Sequence, residues 1–166
     1  MSYFLFGKFD FIKNSEMIQT VKSYGNKKGV CFLFNEEITI YDEIHRMCKE
    51  QGVQGNITFA LTSLNQPYNS SDLLFPFDKY SHNELFPDNS KEHFITCCRR
   101  NIERLFDCLK ALSEICCLAQ LNILVVEGYD DNFAIKTCTL KEMEDDLLLQ
   151  IENNGYIDSC IYCVIR

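Results

Sequence analysis

Tryptophan is absent from this 166-residue chain, and glycine (seven), proline (three) and histidine (three) are scarce. Without tryptophan, the 13 phenylalanines and eight tyrosines must supply the bulky packing. Phosphate cradles need a glycine-rich turn that leads from a strand into a helix. Gly25-x-x-x-Gly29 and Gly52-x-x-Gly55 both lead into strand-like segments instead. A P-loop or dinucleotide fingerprint is therefore excluded. No stretch approaches the ~18 apolar residues of a membrane-spanning helix. Residues 1–8 carry no basic segment, and their apolar run is too short for a secretory signal, so a cytoplasmic chain is expected. Repeats and low-complexity segments are missing too. What is present is ordinary globular composition, 46% hydrophobic and 24% charged, enough for one domain over residues 1–166.

Basic residues are also short near the carboxy end. Residues 121–165 hold nine acids and only two bases, Lys136 and Lys141, so this segment carries −7 of the net −8. Nucleic-acid phosphates would be repelled, which argues against direct nucleic-acid binding. A basic protein partner would be attracted.

Ten cysteines are many. They sit inside apolar patterns: Cys31 in GVCFLF, Cys116 and Cys117 in EICCLA, Cys163 in IYCVI. Reduced cysteines behave this way as small core residues, and free thiols fit a cytosolic protein. A structural zinc site wants two close pairs that converge on turns. Cys160 and Cys163 fall in a strand-like run, where an odd separation sends them to opposite faces. Adjacent pairs such as Cys97-Cys98 and Cys116-Cys117 diverge by ~100° on a helix. No metal and no cofactor is expected.

Hydrophobic periodicity gives the order β-α-β-α-β-loop-α-β-β-α-β. Strands are expected at 3–9, 30–34, 56–62, 121–127 and 159–165, with 133–138 as the returning arm of a hairpin. The first helix, over 16–24 and capped by Asn14 or Ser15, should end at Gly25 and the polar run 26–29. A second should begin with Thr39 and Asp42 as a capping box and stop at Gly52. The longest covers 91–118, with Ile95, Cys98, Ile102, Leu105, Leu109, Leu112 and Cys116 on one face and an Arg99–Glu103 pair on another. Thr139 and Glu142 form a T-x-x-E box before the last helix, which Gly155 ends. All three prolines lie in an irregular aromatic loop at 63–90, with a short strand expected at 73–77. The fold class expected is α/β: a single domain with a mixed sheet of five or six strands and about four helices. An α+β arrangement is the alternative, because of the hairpin.

Chemistry is thinly signalled. His45 reads as a half-exposed helix residue, and His93 sits in a first helical turn. Only His82, in the irregular loop, is placed where catalytic residues often are. No G-x-S-x-G elbow or cysteine-protease signature accompanies it. Asp130-Asp131 and Asp145-Asp146 are paired carboxylates of the kind used in acid/base work or for hard cations. Adjacent acids in turns and on helix faces are ordinarily solvated.

The segments LNILVVEGYDD (121–131), LKEMEDDLLLQI (140–151) and SCIYCVI (159–165) resemble the small acidic immunity proteins that bacteria make against their own polymorphic or contact-dependent toxins. That resemblance spans about a quarter of the chain. It implies a cytoplasmic, non-enzymatic protein that neutralises one cognate toxin domain, such as a basic nuclease, by direct binding. Charge clustering, not a family motif, selects Glu127, Asp130, Asp131, Glu142, Glu144, Asp145 and Asp146 as contact residues. Two other classes compete: a small cytosolic enzyme using His82 with a cysteine or carboxylate, and a structural or regulatory subunit of an intracellular complex, with homodimerisation as one form.

Overall fold

A computed structural model describes residues 2–12, 14–65, 70–75, 90–128 and 132–166. Six strands form one mixed sheet: β1 (Tyr3–Phe9), β2 (Val30–Phe34), β3 (Ile57–Ser63), β4 (Gln120–Glu127), β5 (Ala134–Cys138) and β6 (Cys160–Ile165). The helices are α1 (Ser15–Lys27), α2 (Tyr41–Glu50), the short α3 (Ser71–Leu74), α4 (Ser90–Ile115) and α5 (Leu140–Asn154). The strand order is β2-β3-β1-β4-β6-β5. Four pairings are antiparallel, and only β5 with β6 is parallel. This is a single α/β domain.

The expected hairpin across 121–138 does not form. β6 inserts between β4 and β5, and β5 pairs parallel with it, Ile135 beside Ile161. The intervening α5 makes this a βαβ unit, the connection that a parallel pair requires. Local periodicity marks β5 as a strand but does not name its neighbour.

The sheet has two unequal faces. Strand alternation sends Tyr3, Leu5 and Phe9 of β1 to one side, where Val21 of α1, Ile102 and Leu109 of α4, and Leu147 of α5 complete the larger core. Phe6 points the other way, into a smaller cluster with Leu124, Ile161, Ile44 and Cys48 of α2. Cys160 and Cys163 go to opposite faces, as their odd spacing requires. All ten cysteines are free. Burial pushes the thiols of Cys48, Cys108, Cys116 and Cys160 up to about 11.

Caps explain three helix ends. Asn14 Oδ1 accepts the Glu16 and Met17 amides at 3.0 and 3.2 Å. Thr139 Oγ1 accepts the Glu142 amide, and the Glu142 carboxylate accepts the Thr139 amide at 2.7 Å. Gly155 then closes α5 at φ +74°. Three expectations fail. Gly25 itself does not stop α1, which ends within the polar run, at Lys27. Its missing side chain instead admits β2, because a Cβ there would lie 2.7 Å from the Val30 carbonyl oxygen. Thr39 does not cap α2, since the helix starts only at Tyr41 with Ile40 as a cap that makes no side-chain bond. Leu73 and Leu74 are helical, not extended. Phe75 just beyond them packs on Tyr3 and Phe94 with ring centroids 5.0 and 6.1 Å away. Tyr68, Phe77, Tyr80 and Phe86 lie outside the described residues.

α4 buries the expected stripe from Cys98 to Cys116 and leaves Ile95 half-buried. Arg99 does not pair with Glu103 one turn along. It reaches Glu152 of α5, tying the two helices at the surface.

Candidate functional site

The carboxylates singled out from the sequence fall into separate places. Asp130 and Asp131 lie outside the described residues. Glu127 closes β4 at one end of the sheet, while α5 starts at the other end, where Cys138 pairs with Val164 and Val164 with Leu121. Seven residues of strand separate Gln120 from Glu127, roughly 23 Å at ~3.3 Å per residue. Glu127 is therefore remote from the first turn of α5.

The α5 acids themselves divide by role. Asp146 is structural: its Oδ2 accepts from Lys136 Nζ at 2.6 Å, from Tyr162 Oη at 2.6 Å and from Gln150 Nε2 at 3.0 Å. Burial works to raise its pKa, but the bonds from Lys136 and Tyr162 outweigh burial and hold it below the usual carboxylate range. Tyr162 responds in kind: burial, then the Asp146 bond, push its phenol far above its ordinary value. Glu142 serves the helix cap, and the Thr139 amide and hydroxyl lower its pKa. Half-buried Glu144 and exposed Asp145 both contact Lys141 Nζ, at 3.1 and 3.0 Å; Lys141 is itself exposed, and such pairs contribute little.

Glu144 also lines an open groove of about 700 Å³ between the second half of α4 and the start of α5. Its floor is apolar, formed by Phe106, Leu118, Leu121 and Val164. Its walls carry Glu103, Asp107 and Glu114 from α4 opposite Glu144, with Lys110, Lys141 and Arg166 among them. Lys28 covers Asp107 at 3.1 Å. Glu103 and Glu114 make no side-chain ion pair among the described residues. The α4 acids escape a reading based on regional charge, because Lys110 and the arginines balance them in sequence. Only helical periodicity, which puts 103, 107, 110 and 114 on one face, signals them.

Comparison with protein-family models, with curated proteins and with solved structures found no match for this chain.

Among the described residues the histidines and cysteines meet in one place. His82 lies outside the described residues. His45 stacks on Tyr41 at the surface, 5.7 Å between centroids, with its Nδ1 3.4 Å from Lys8 Nζ. His93 Nε2 lies 3.6 Å from Cys97 Sγ, one turn along α4. Cys97 lines a polar recess of about 370 Å³ with Arg100, Asn101 and Arg104 of α4, Ser63 of β3 and Asp72 of α3. The Asp72 carboxylate accepts from Ser63 Oγ at 3.3 Å, and the buried Nε of Arg104 has no hydrogen-bond partner among the described residues. Helical i, i+4 spacing of His93 with Cys97 was available in the sequence as a signal for this pair. Among the described residues no cluster of three or more metal-ligating side chains occurs, and no helix is long and apolar enough to cross a membrane.

Proposed function

We propose that this chain is a non-enzymatic binding protein that engages a basic protein partner, in the manner of an immunity protein that neutralises a toxin domain. The observation that carries this reading is the groove between α4 and α5: an apolar floor flanked by carboxylates from both helices, with Lys110, Lys141 and Arg166 interspersed. Apolar floors supply binding energy, and charged walls select and steer the partner. The docking surface on this reading centres on Glu103, Glu114 and Glu144, with Asp145 beside the groove and bonded to its Lys141. Asp146 and Glu142 support it from within, and Glu127 lies apart from it. Affinity capture from the native host tests it, with the wild-type chain and a Glu103→Lys/Glu114→Lys/Asp145→Lys variant as parallel baits. A basic protein held by the wild type, released by salt and missed by the variant is the expected result. Equal capture by both baits would refute the groove as the docking surface.

A second reading, a small enzyme built on a thiol and an imidazole, is favoured by the Cys97–His93 contact beside two arginines. A base paired with a nucleophile raises its reactivity. His93→Gln should then slow alkylation of Cys97 by iodoacetamide, and an unchanged rate counts against this reading.

A further inference from the structure

The polar recess beside α4 departs from the acidic character of the chain. Cys97, Arg100 and Arg104 line it at i, i+3 and i+7, a single stripe of the helix about 10 Å long. Neither guanidinium forms an ion pair among the described residues. Like charges one helical turn apart repel each other, so an anion placed between them is stabilising. Across the recess, Asp72 of α3 makes no ion pair either, and its carboxylate accepts from Ser63 Oγ at 3.3 Å. Cys97 itself is half-buried, and its Sγ lies 3.6 Å from His93 Nε2, which is placed to take the thiol proton. One open space thus meets a thiol, two unmatched cations and one unmatched carboxylate.

These groups are the chemical complement of a small acidic thiol of glutathione's kind, which carries carboxylates at both ends and one ammonium group on a tripeptide frame. Three residues span roughly 10 Å when extended, the length of the Cys97–Arg104 stripe. Guanidinium is the side chain that meets a carboxylate with paired donors. Other accessible thiols sit in the opposite field. Cys117 follows Glu114 by one helical turn, and Cys138 faces the carboxylates of Glu142 and Asp146. An anionic reagent is therefore drawn to Cys97 and repelled from those two.

We propose that Cys97 forms a mixed disulfide with such an acidic thiol, Arg100 and Arg104 holding its carboxylates and Asp72 its ammonium group. The oxidant is the disulfide of that thiol. Cys97 gives its proton to His93, and the thiolate attacks one sulfur of the disulfide. A new S–S bond forms at Cys97 and the old one breaks. Its other half leaves as a thiolate with the electron pair and takes up a proton, so Cys97 is oxidised and the leaving half reduced. The modification rests on neither reading of function, because it requires no partner protein and no turnover. Separate treatment of the native chain with glutathione disulfide, neutral hydroxyethyl disulfide and dicationic cystamine tests it, with peptide mapping of the products over time. Glutathione disulfide should modify Cys97 before Cys117, although Cys117 is the more exposed. Cystamine should reverse that order. Arg100→Gln/Arg104→Gln should slow the glutathione reaction at Cys97 about tenfold, the worth of one charge-assisted hydrogen bond. The same variant should leave the hydroxyethyl disulfide rate at Cys97 unchanged. Should it not fold, the order of modification in the wild type decides. Cys117 modified first by glutathione disulfide, or a folded arginine variant that reacts with it as fast as the wild type, would overturn the proposal.

Discussion

Replacing Asp146 by alanine separates the structural acids of α5 from those free to meet a partner. Three donors converge on one Asp146 oxygen. Tyr162 is the costly one: it is fully buried, and its hydroxyl sits 2.6 Å from that oxygen. Loss of a charged acceptor for a buried donor costs about 1.5–3 kcal/mol. The Lys136 pair, 43% and 28% exposed, adds ~0–1 kcal/mol. Asp146→Ala should therefore destabilise the fold by about 2–4 kcal/mol. Asp146→Asn, which keeps a neutral acceptor, should cost about 1 kcal/mol. Asp145→Ala, whose carboxylate meets only the exposed Lys141, should fall within about 1 kcal/mol of wild type. Urea unfolding at pH 7 reads all three. The pH dependence has a definite sign. The folded pKa of Asp146 is depressed, so its contribution is complete above the unfolded value near ~3.9 and is lost as pH falls through the folded value. The gap between wild type and Asp146→Ala should narrow below pH ~4. An Asp146→Ala chain as stable as Asp145→Ala at pH 7 would refute the structural role.

Gly25→Ala should destabilise despite alanine's higher helix propensity, because its Cβ would meet the Val30 oxygen at 2.7 Å and the Phe32 ring at 2.8 Å. Overpacking of this kind costs about 1–3 kcal/mol, and thermal melting shows it as a lowered Tm. Tyr3→Phe removes a hydroxyl that donates to the Ile157 carbonyl and accepts the Ile157 amide, both at 3.1 Å. The buried Ile157 amide then lacks its partner, at a cost of about 1–3 kcal/mol in urea unfolding. In the native state a thiol reagent at pH 8 should modify Cys117, which is exposed, and spare Cys48, Cys108, Cys116 and Cys160, as peptide mapping would show. Those four thiols hold their protons to about pH 11 in the fold. The unfolded chain gives them up near pH ~8.5. Stability should therefore decline as pH rises from about 8.5 towards 11.

The longer elements were legible because they carry their own period, and two helices their own caps. The stripe from Cys98 to Cys116 and the Thr139–Glu142 box specify α4 and the start of α5 without reference to the rest of the chain. What the pattern cannot express is pairing across sequence distance. β5 reads the same whether its neighbour is β4 or β6, and only the βαβ connection through α5 decides. Gly25 misleads for a related reason: a glycine that ends a helix and one that admits a strand look alike until the strand is placed. The proposed acidic surface was half legible. Regional charge found Glu144 and Asp145, but it also gathered Glu127 from the far end of the sheet and Asp146 from an internal network. It passed over Glu103 and Glu114, which only helical periodicity brings to the groove.

Hydrogen exchange on the complex with a captured partner tests the groove most directly. The account predicts new protection in the second half of α4 and the first two turns of α5, reduced by Glu103→Lys/Glu114→Lys/Asp145→Lys. Protection confined to α2 and β2, with those segments exchanging as in the free chain, would contradict it.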